Sequence, residues 1–324
     1  MSRESRMRLK EIEASIPNLN PKKTDWGAMS FVFVFLIYHI AWFVYYWAKV
    51  NIGSIFMAFQ DPYTGEWTTK FMEAAFKNFT ENGAPLLEAT WNTLFLTVKD
   101  AFVLFFHLAI VYFIYKKIVG YRFFQFMFYL PTIISEVALT MAFKYFVRYD
   151  GPVGELAKIL NIGLDHEGMF IDVFQTKGVA FPVLVFYGLW MGWGGNMLLL
   201  GGAMARIPIE ILESARLDGV GSGRELVQMI LPLLWPTVST LFILKLTNMF
   251  GSSAGALLFC GFYADQVGAN TISLYIYTAL YGPGANTLQA ANSVSAVGLI
   301  FTCIAVPTVM IMRWLVEKVP VVEY

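Results

Sequence analysis

The stretch IPIEILESARLDGVGSGRELVQMILP, residues 207–232, is polar where the chain on either side is apolar. Pro208 suits a first helical position, where a missing N–H has no partner to lose. Glu210 and Glu213 follow in the first turns, where carboxylates favour the positive end of the helix dipole. Gly219 and Gly221 end this helix, because glycine reaches left-handed backbone angles without steric cost. Ser222 and Glu225, three apart and ahead of Leu226, Val227, Met229 and Ile230, read as a capping box opening a second helix. The segment 203–232 is thus a helix-turn-helix between two apolar segments, a rigid knob suited to gripping another protein.

Composition explains those flanks. Of 324 residues, 57% are hydrophobic and 14% charged, against about 25% charged in ordinary soluble domains. A helix crosses the hydrocarbon in about 20 residues, and six segments qualify: 28–50, 91–115, 123–146, 179–201, 231–251 and 294–316. The fold expected is an all-α polytopic membrane protein of six transmembrane helices, with the polar loop between the fourth and fifth. Basic residues mark its sidedness. Arg3, Arg6, Arg8, Lys10, Lys22 and Lys23 precede the first span, and Lys116, Lys117 and Arg122 follow the second. Arg206, Arg216 and Arg224 lie in the polar loop, and Arg313 and Lys318 close the sixth span. All fall on one side if both termini are cytoplasmic.

The expected organisation is a cytoplasmic tail, 1–27, then a first helix with its outer loop, 28–90. A five-helix core, 91–318, and a short cytoplasmic tail, 319–324, follow. The N-terminus has basic residues but no apolar core close behind, so it is not a signal peptide. Short outer helices are expected near 68–79 and 154–160. A net charge of zero gives no case for a nucleic-acid partner. Cys260 and Cys303 fit no metal or redox spacing and read as packing residues. No metal site is expected.

The polar loop carries a spaced pattern: Glu213-Ser214-Ala215, three residues, Gly219, nine residues, then Met229-Ile230-Leu231-Pro232. This resembles the EAA loop of permease subunits from binding-protein-dependent ABC importers, with Ser214 for the first alanine and Met229 for isoleucine. The likeness extends over about 92–318, through Asn92-Thr93-Leu94, Leu130-Pro131, Asp150-Gly151, Gly154, Trp190, Gly194 and Gly195. Residues 271–277, TISLYIY, resemble the outer segment of permeases for sugars and oligosaccharides, the maltose and glycerol-phosphate group. The resemblance implies a bacterial inner-membrane importer. Its other parts would be a second homologous permease, two ATPase subunits and an extracytoplasmic solute-binding protein.

ATP hydrolysis is not expected of this chain. Residues 219–224 are glycine-rich but lack G-x-x-x-x-G-K-[ST]. The chain is therefore expected to bind no cofactor itself, with ATP and Mg used by the partner ATPase. In the loop, Glu213 would salt-bridge or cap within the ATPase cleft, Ala215 would permit close approach and Gly219 would supply the turn. Leu212, Leu217 and Val220 would offer apolar contact, with Ser214, Arg216 and Asp218 in the same interface. Arg216 and Arg224 are explained equally well as positive-inside anchors.

Ionisable groups inside spans are rare and face the bundle interior. Lys99, Asp100, Glu136 and Lys245 lie roughly 9–15 Å below the outer face at 1.5 Å per residue. The plainer reading is a structural ion pair between Glu136 and Lys99 or Lys245. The functional reading sets Lys99, Glu136 and Lys245 with Trp193, Asn196 and Asn248 in a substrate cavity, where aromatic faces stack on sugar rings and amides bond hydroxyls. His39 and His107 read as packed side chains. Pro232 and Pro236 are expected to shape the entry of the fifth span.

Two alternatives stay open. The solute could be a polyol phosphate, an anionic polysaccharide fragment or a peptide. A secondary transporter would need inverted repeats or broken helices in matched halves, and the sequence displays neither.

Overall fold

The computed structural model describes residues 26–81, 83–163, 171–251, 255–283, 285 and 287–319, without the side chains of Ala28, Arg216 and Thr287. The expected tails, up to residue 25 and from 320, lie outside these. The described residues are helical with no strand among them, and they divide into two compact units between Ser54 and Ile55.

The first unit is residues 26–54 of α1 (Trp26–Ala58), which is longer at both ends than the span expected. None of its described side chains is buried. It is apolar all round, as a membrane-crossing helix can be. Aromatic rings at i, i+4 spacing contact along it: Phe31 on Phe35, Tyr38 on Trp42, and Trp42 on Tyr46 with centroids 4.3 Å apart. His39 is exposed here, contrary to the expectation of a packed histidine.

The second unit is built round α3 (Pro85–Tyr115), an unbroken helix that touches α2 (Lys70–Thr80), α4 (Tyr121–Ile133), α7 (Ala180–Met191), α8 (Trp193–Met204), α10 (Leu231–Thr247) and α12 (Ile272–Tyr281). Near Tyr112 of α3, an apolar cluster joins Leu104, Leu108 and Val111 to Leu200, Met204, Ile230 and Leu234. Near the opposite terminus of α3, Leu86 packs with Ala75, Ile272, Val297 and Phe301, the last two on α13 (Thr287–Glu317). Together α1, α3, α7–α8, α10 and α13 supply five long apolar stretches. α2 and α6 (Pro152–Leu160) are the two short helices expected.

The third expected span is not one helix. α4 and the segment Glu136–Leu160, which begins with α5 (Glu136–Val147), meet at 109°. Pro131 removes an N–H from the last turn of α4. Ile134 and Ser135 then run extended, with ψ of 143° and 131°. Hydropathy counts apolar side chains and is blind to an interrupted hydrogen-bond ladder, so 123–146 reads as continuous.

Glycines permit two close approaches. A β-carbon at Gly194 would land on the Thr132 hydroxyl, so α8 and α4 touch only because none is there. At Gly151 and Gly154 a β-carbon would strike the carbonyls of Tyr145 and Tyr149. These residues let α6 fold back against the end of α5. Asn92-Thr93 also has a structural task. Asn92 donates to the carbonyls of Gly268 and Asn270 at 3.1 and 2.8 Å. The Thr93 hydroxyl accepts from the Ile272 N–H at 3.0 Å, and Thr271 caps α12 through the Leu274 N–H. The free thiols differ: Cys260, the last residue of α11 (Ala256–Cys260), packs against an apolar cluster, whereas Cys303 is exposed and does not pack as expected.

Candidate functional site

The polar loop lies at the Tyr112 end of α3. Its helix α9 (Ile209–Leu217) ends at Gly219, whose φ is +70°, and the Val220 N–H returns to the Ala215 carbonyl at 3.0 Å. That is the helix-ending bond expected of a left-handed glycine. Gly221 does something else: it is extended, with φ −70° and ψ 153°, and stands at the N-cap of the following turn.

The faces of α9 divide sharply. Leu212 and Ala215 are buried, with Leu212 inside the same cluster as Ile230 and Leu234. They seat the loop on its own bundle, so neither offers the surface contact expected of it. Ile209, Glu213 and Leu217, at i, i+4 and i+8, form one outward stripe, and Leu217 is 89% exposed. Glu210, Ser214, Asp218 and Gly219 are also exposed. The Ser214 hydroxyl is turned back to the Ile211 carbonyl at 3.0 Å. The side chain of Arg216 lies outside the described residues.

No capping box forms. Ser222 makes no side-chain cap, and Glu225 is 1% exposed. Its Oε2 instead lies 2.6 Å from Lys116 Nζ, just past the end of α3. That ammonium also lies over the Tyr112 ring, 4.8 Å from its centroid, and 3.4 Å from the Ser222 hydroxyl. Burial is the largest single influence and opposes its charge, but the hydrogen bonds and charge interactions with Glu225 and Tyr112 together outweigh it and hold the Lys116 pKa above the ordinary lysine value. In the sequence Lys116 reads as an anchoring charge and Glu225 as a cap. Two opposite charges 109 positions apart give no local signal.

From Glu225 the chain runs through a π-turn, Glu225–Ile230, directly into α10. The Leu231 N–H bonds to the Leu226 carbonyl, five residues back. Pro232 then contributes no N–H to the ladder. Pro232 thus stands at the exit of a widened turn, whereas Pro236 lies inside α10.

Between α3, α5, α7 and α10 two adjoining cavities of about 400 and 440 Å³ share Asp100, Lys245 and Gly251. The larger is also lined by Lys99, Glu136, Tyr187 and Gly188, the smaller by Thr97, Asn196 and Asn248. Five of the six cavity candidates are therefore brought together. Glu136 gets there from the first turn of α5, at the break, where a carboxylate suits the helix N-terminus. The expected ion pair is absent among the described residues: Lys99 pairs with its neighbour Asp100 at 2.8 Å, while Glu136 and Lys245 have no ionic partner within 4.0 Å.

Trp193 is the exception. Its ring stacks on Phe128 at 4.6 Å and 14°, with His107 at 4.6 Å. Its faces are spent on internal packing, so it is not the sugar-stacking surface expected. His107 is packed as expected, with Nδ1 2.9 Å from the Asn196 amide nitrogen.

The family described as binding-protein-dependent transport system inner membrane component matches residues 83–320. The probable ABC transporter permease protein MG188 of Mycoplasma genitalium is 28% identical over 213 residues, 64% of this chain and 62% of that one. The multiple sugar-binding transport system permease protein MsmF of Streptococcus mutans is 26% identical over 197 residues, 60% of this chain and 63% of that one. The matches thus span less than two thirds of either relative. A chain in the crystal structure of a bacterial ABC transporter involved in the import of the acidic polysaccharide alginate superposes with a TM-score of 0.71 at 20% identity, covering 91% of this chain and 98% of that one.

Proposed function

We propose that this chain, which belongs to the family of binding-protein-dependent transport system inner membrane components, is a permease subunit of an ATP-driven importer of sugars or oligosaccharides. It is a multi-pass membrane component of a transport system, not its ATPase. It would form half of the translocation pathway beside a second homologous permease. Two ATPase subunits, using ATP and Mg, would lie below, and an extracytoplasmic solute-binding protein would deliver substrate. Both termini and the 203–232 loop would be cytoplasmic.

The observation that carries this reading is the division of α9. One face is sunk in the bundle through Leu212 and Ala215, while Ile209, Glu213 and Leu217 face outward beside Ser214, Asp218 and Gly219. A helix so seated transmits a push without being displaced from its own helices. Arg216 belongs to the same interface by its place in the motif. Lys99, Glu136, Asn196, Lys245 and Asn248 are the polar groups toward which a hydroxyl-rich solute would turn. The sugar reading is supported by the name of the Streptococcus relative and by the 271–277 segment.

The test is ATP hydrolysis by the purified complex in liposomes, with binding protein and a panel of glycans, glycerol phosphate and peptides. Stimulation by a glycan, lost in Glu213→Ala with Gly219→Val, is the expected result. Stimulation by glycerol phosphate alone would replace the sugar assignment. Stimulation that survives both substitutions would sink the coupling role of the loop.

A further inference from the structure

The loop reaches the central cavities by two routes. One is covalent, through the π-turn Glu225–Ile230 into α10, which carries Lys245 to the cavity wall. The other crosses from Glu225 to Lys116 and enters α3, which carries Lys99 and Asp100 to the facing wall. Lys116 and Asp100 are separated by roughly 24 Å of unbroken helix at 1.5 Å per residue.

We propose that the Lys116–Glu225 pair is the positioning contact that makes α3 follow the coupling loop, so that a movement imposed on the loop reaches both walls of the cavity. This rests on the reading of 203–232 as the ATPase-coupling loop. Three observations carry it. The surroundings are apolar, with Val111, Tyr112, Leu226 and Ile230 in one cluster, so the position could have been filled by packing alone. A buried pair is seldom the more stabilising choice over apolar packing, and what it adds is a directional link. The covalent route starts in a π-turn, a rare geometry that recurs at functional sites. Finally, Glu225 Oε1 is buried without a hydrogen-bond partner among the described residues, so one acceptor of the carboxylate is held in reserve.

The experiment uses the full complex in nanodiscs, nucleotide-free and trapped with ATP and vanadate, so no substrate need be known. Spin labels at the exposed positions Phe102 of α3 and Met310 of α13 report one distance, and labels at Leu244 of α10 and Met310 report a second. Wild type is expected to shift both distances on trapping. Lys116→Met is expected to lose the α3 shift and keep the α10 shift. Lys116→Arg, and the exchange of Lys116→Glu with Glu225→Lys, are expected to restore it. If Lys116→Met does not assemble, Glu225→Gln, which keeps the volume and removes the charge, takes its place. An α3 shift equal to wild type in the charge-removing variant overturns the proposal, as does loss of both shifts together. No shift in either pair of the wild-type complex would instead overturn the coupling-loop reading itself.

Discussion

At the Leu86 end of α3, Asn92 and Thr93 tie the helix to 268–272 with neutral amide and hydroxyl bonds to backbone groups. At the Tyr112 end, Lys116 ties it to Glu225 with full charges, one of them almost wholly buried. Neutral bonds to backbone contribute about 1 kcal/mol each and work at close range. A buried charge pair has a desolvation cost that nearly cancels its attraction, but losing one partner is expensive. The Leu86 end is therefore fastened, whereas the Tyr112 end is linked in a way that depends on both partners.

The strongest test of this contrast is Lys116→Met, which strands a buried carboxylate and should cost about 3–5 kcal/mol, read as thermal unfolding of the purified subunit in detergent. Lys116→Met with Glu225→Leu should recover most of that loss, because apolar replacement of a whole buried pair is often neutral. Failure to recover would mean the pair is an ordinary stabiliser. Asn92→Ala, by the same measurement, should cost about 2 kcal/mol for two lost bonds and two unmet carbonyls, and no second substitution at 268–272 should repair it.

Gly219→Val should cost about 1–2 kcal/mol, since a β-branched residue at φ +70° is strained. Limited proteolysis of the 203–232 loop would register the change first. Alkaline titration separates the two ends again. The Lys116 pKa is raised by folding, so its contribution is complete below the ordinary lysine range and is lost as pH climbs above it. Unfolding followed at rising pH should show wild type lose more stability there than Lys116→Met does. Smallest of all, Glu213→Ala should shift unfolding by no more than about 0.5 kcal/mol, being a surface change, while substrate-stimulated ATP hydrolysis falls.

Much of this was legible in the residues. The turn at Gly219, the helices α2 and α6, and the apolar stretches follow from short-range rules of φ, periodicity and hydropathy. The gathering of Lys99, Glu136, Lys245, Asn196 and Asn248, five of the six cavity candidates, follows from the scarcity of polar groups in apolar helices. Their pairing did not follow. Lys99 meets the adjacent Asp100, because chain neighbours on α3 are closer than any charge on α5 or α10. Trp193 reads as a cavity residue because nothing near it in sequence announces Phe128, which reaches it through the close α4–α8 contact at Gly194.

The sequence alone settles that this is a helical membrane protein with a glycine-stopped polar helix between apolar segments, since each feature depends on residues within a few positions of one another. Three matters belong to the folded molecule: the 109° break that brings Glu136 to the cavity, the face of α9 that is buried, and the crossing of Lys116 to Glu225. Each is a choice among long-range contacts, where complementarity of shape and charge outweighs what the local chain prefers.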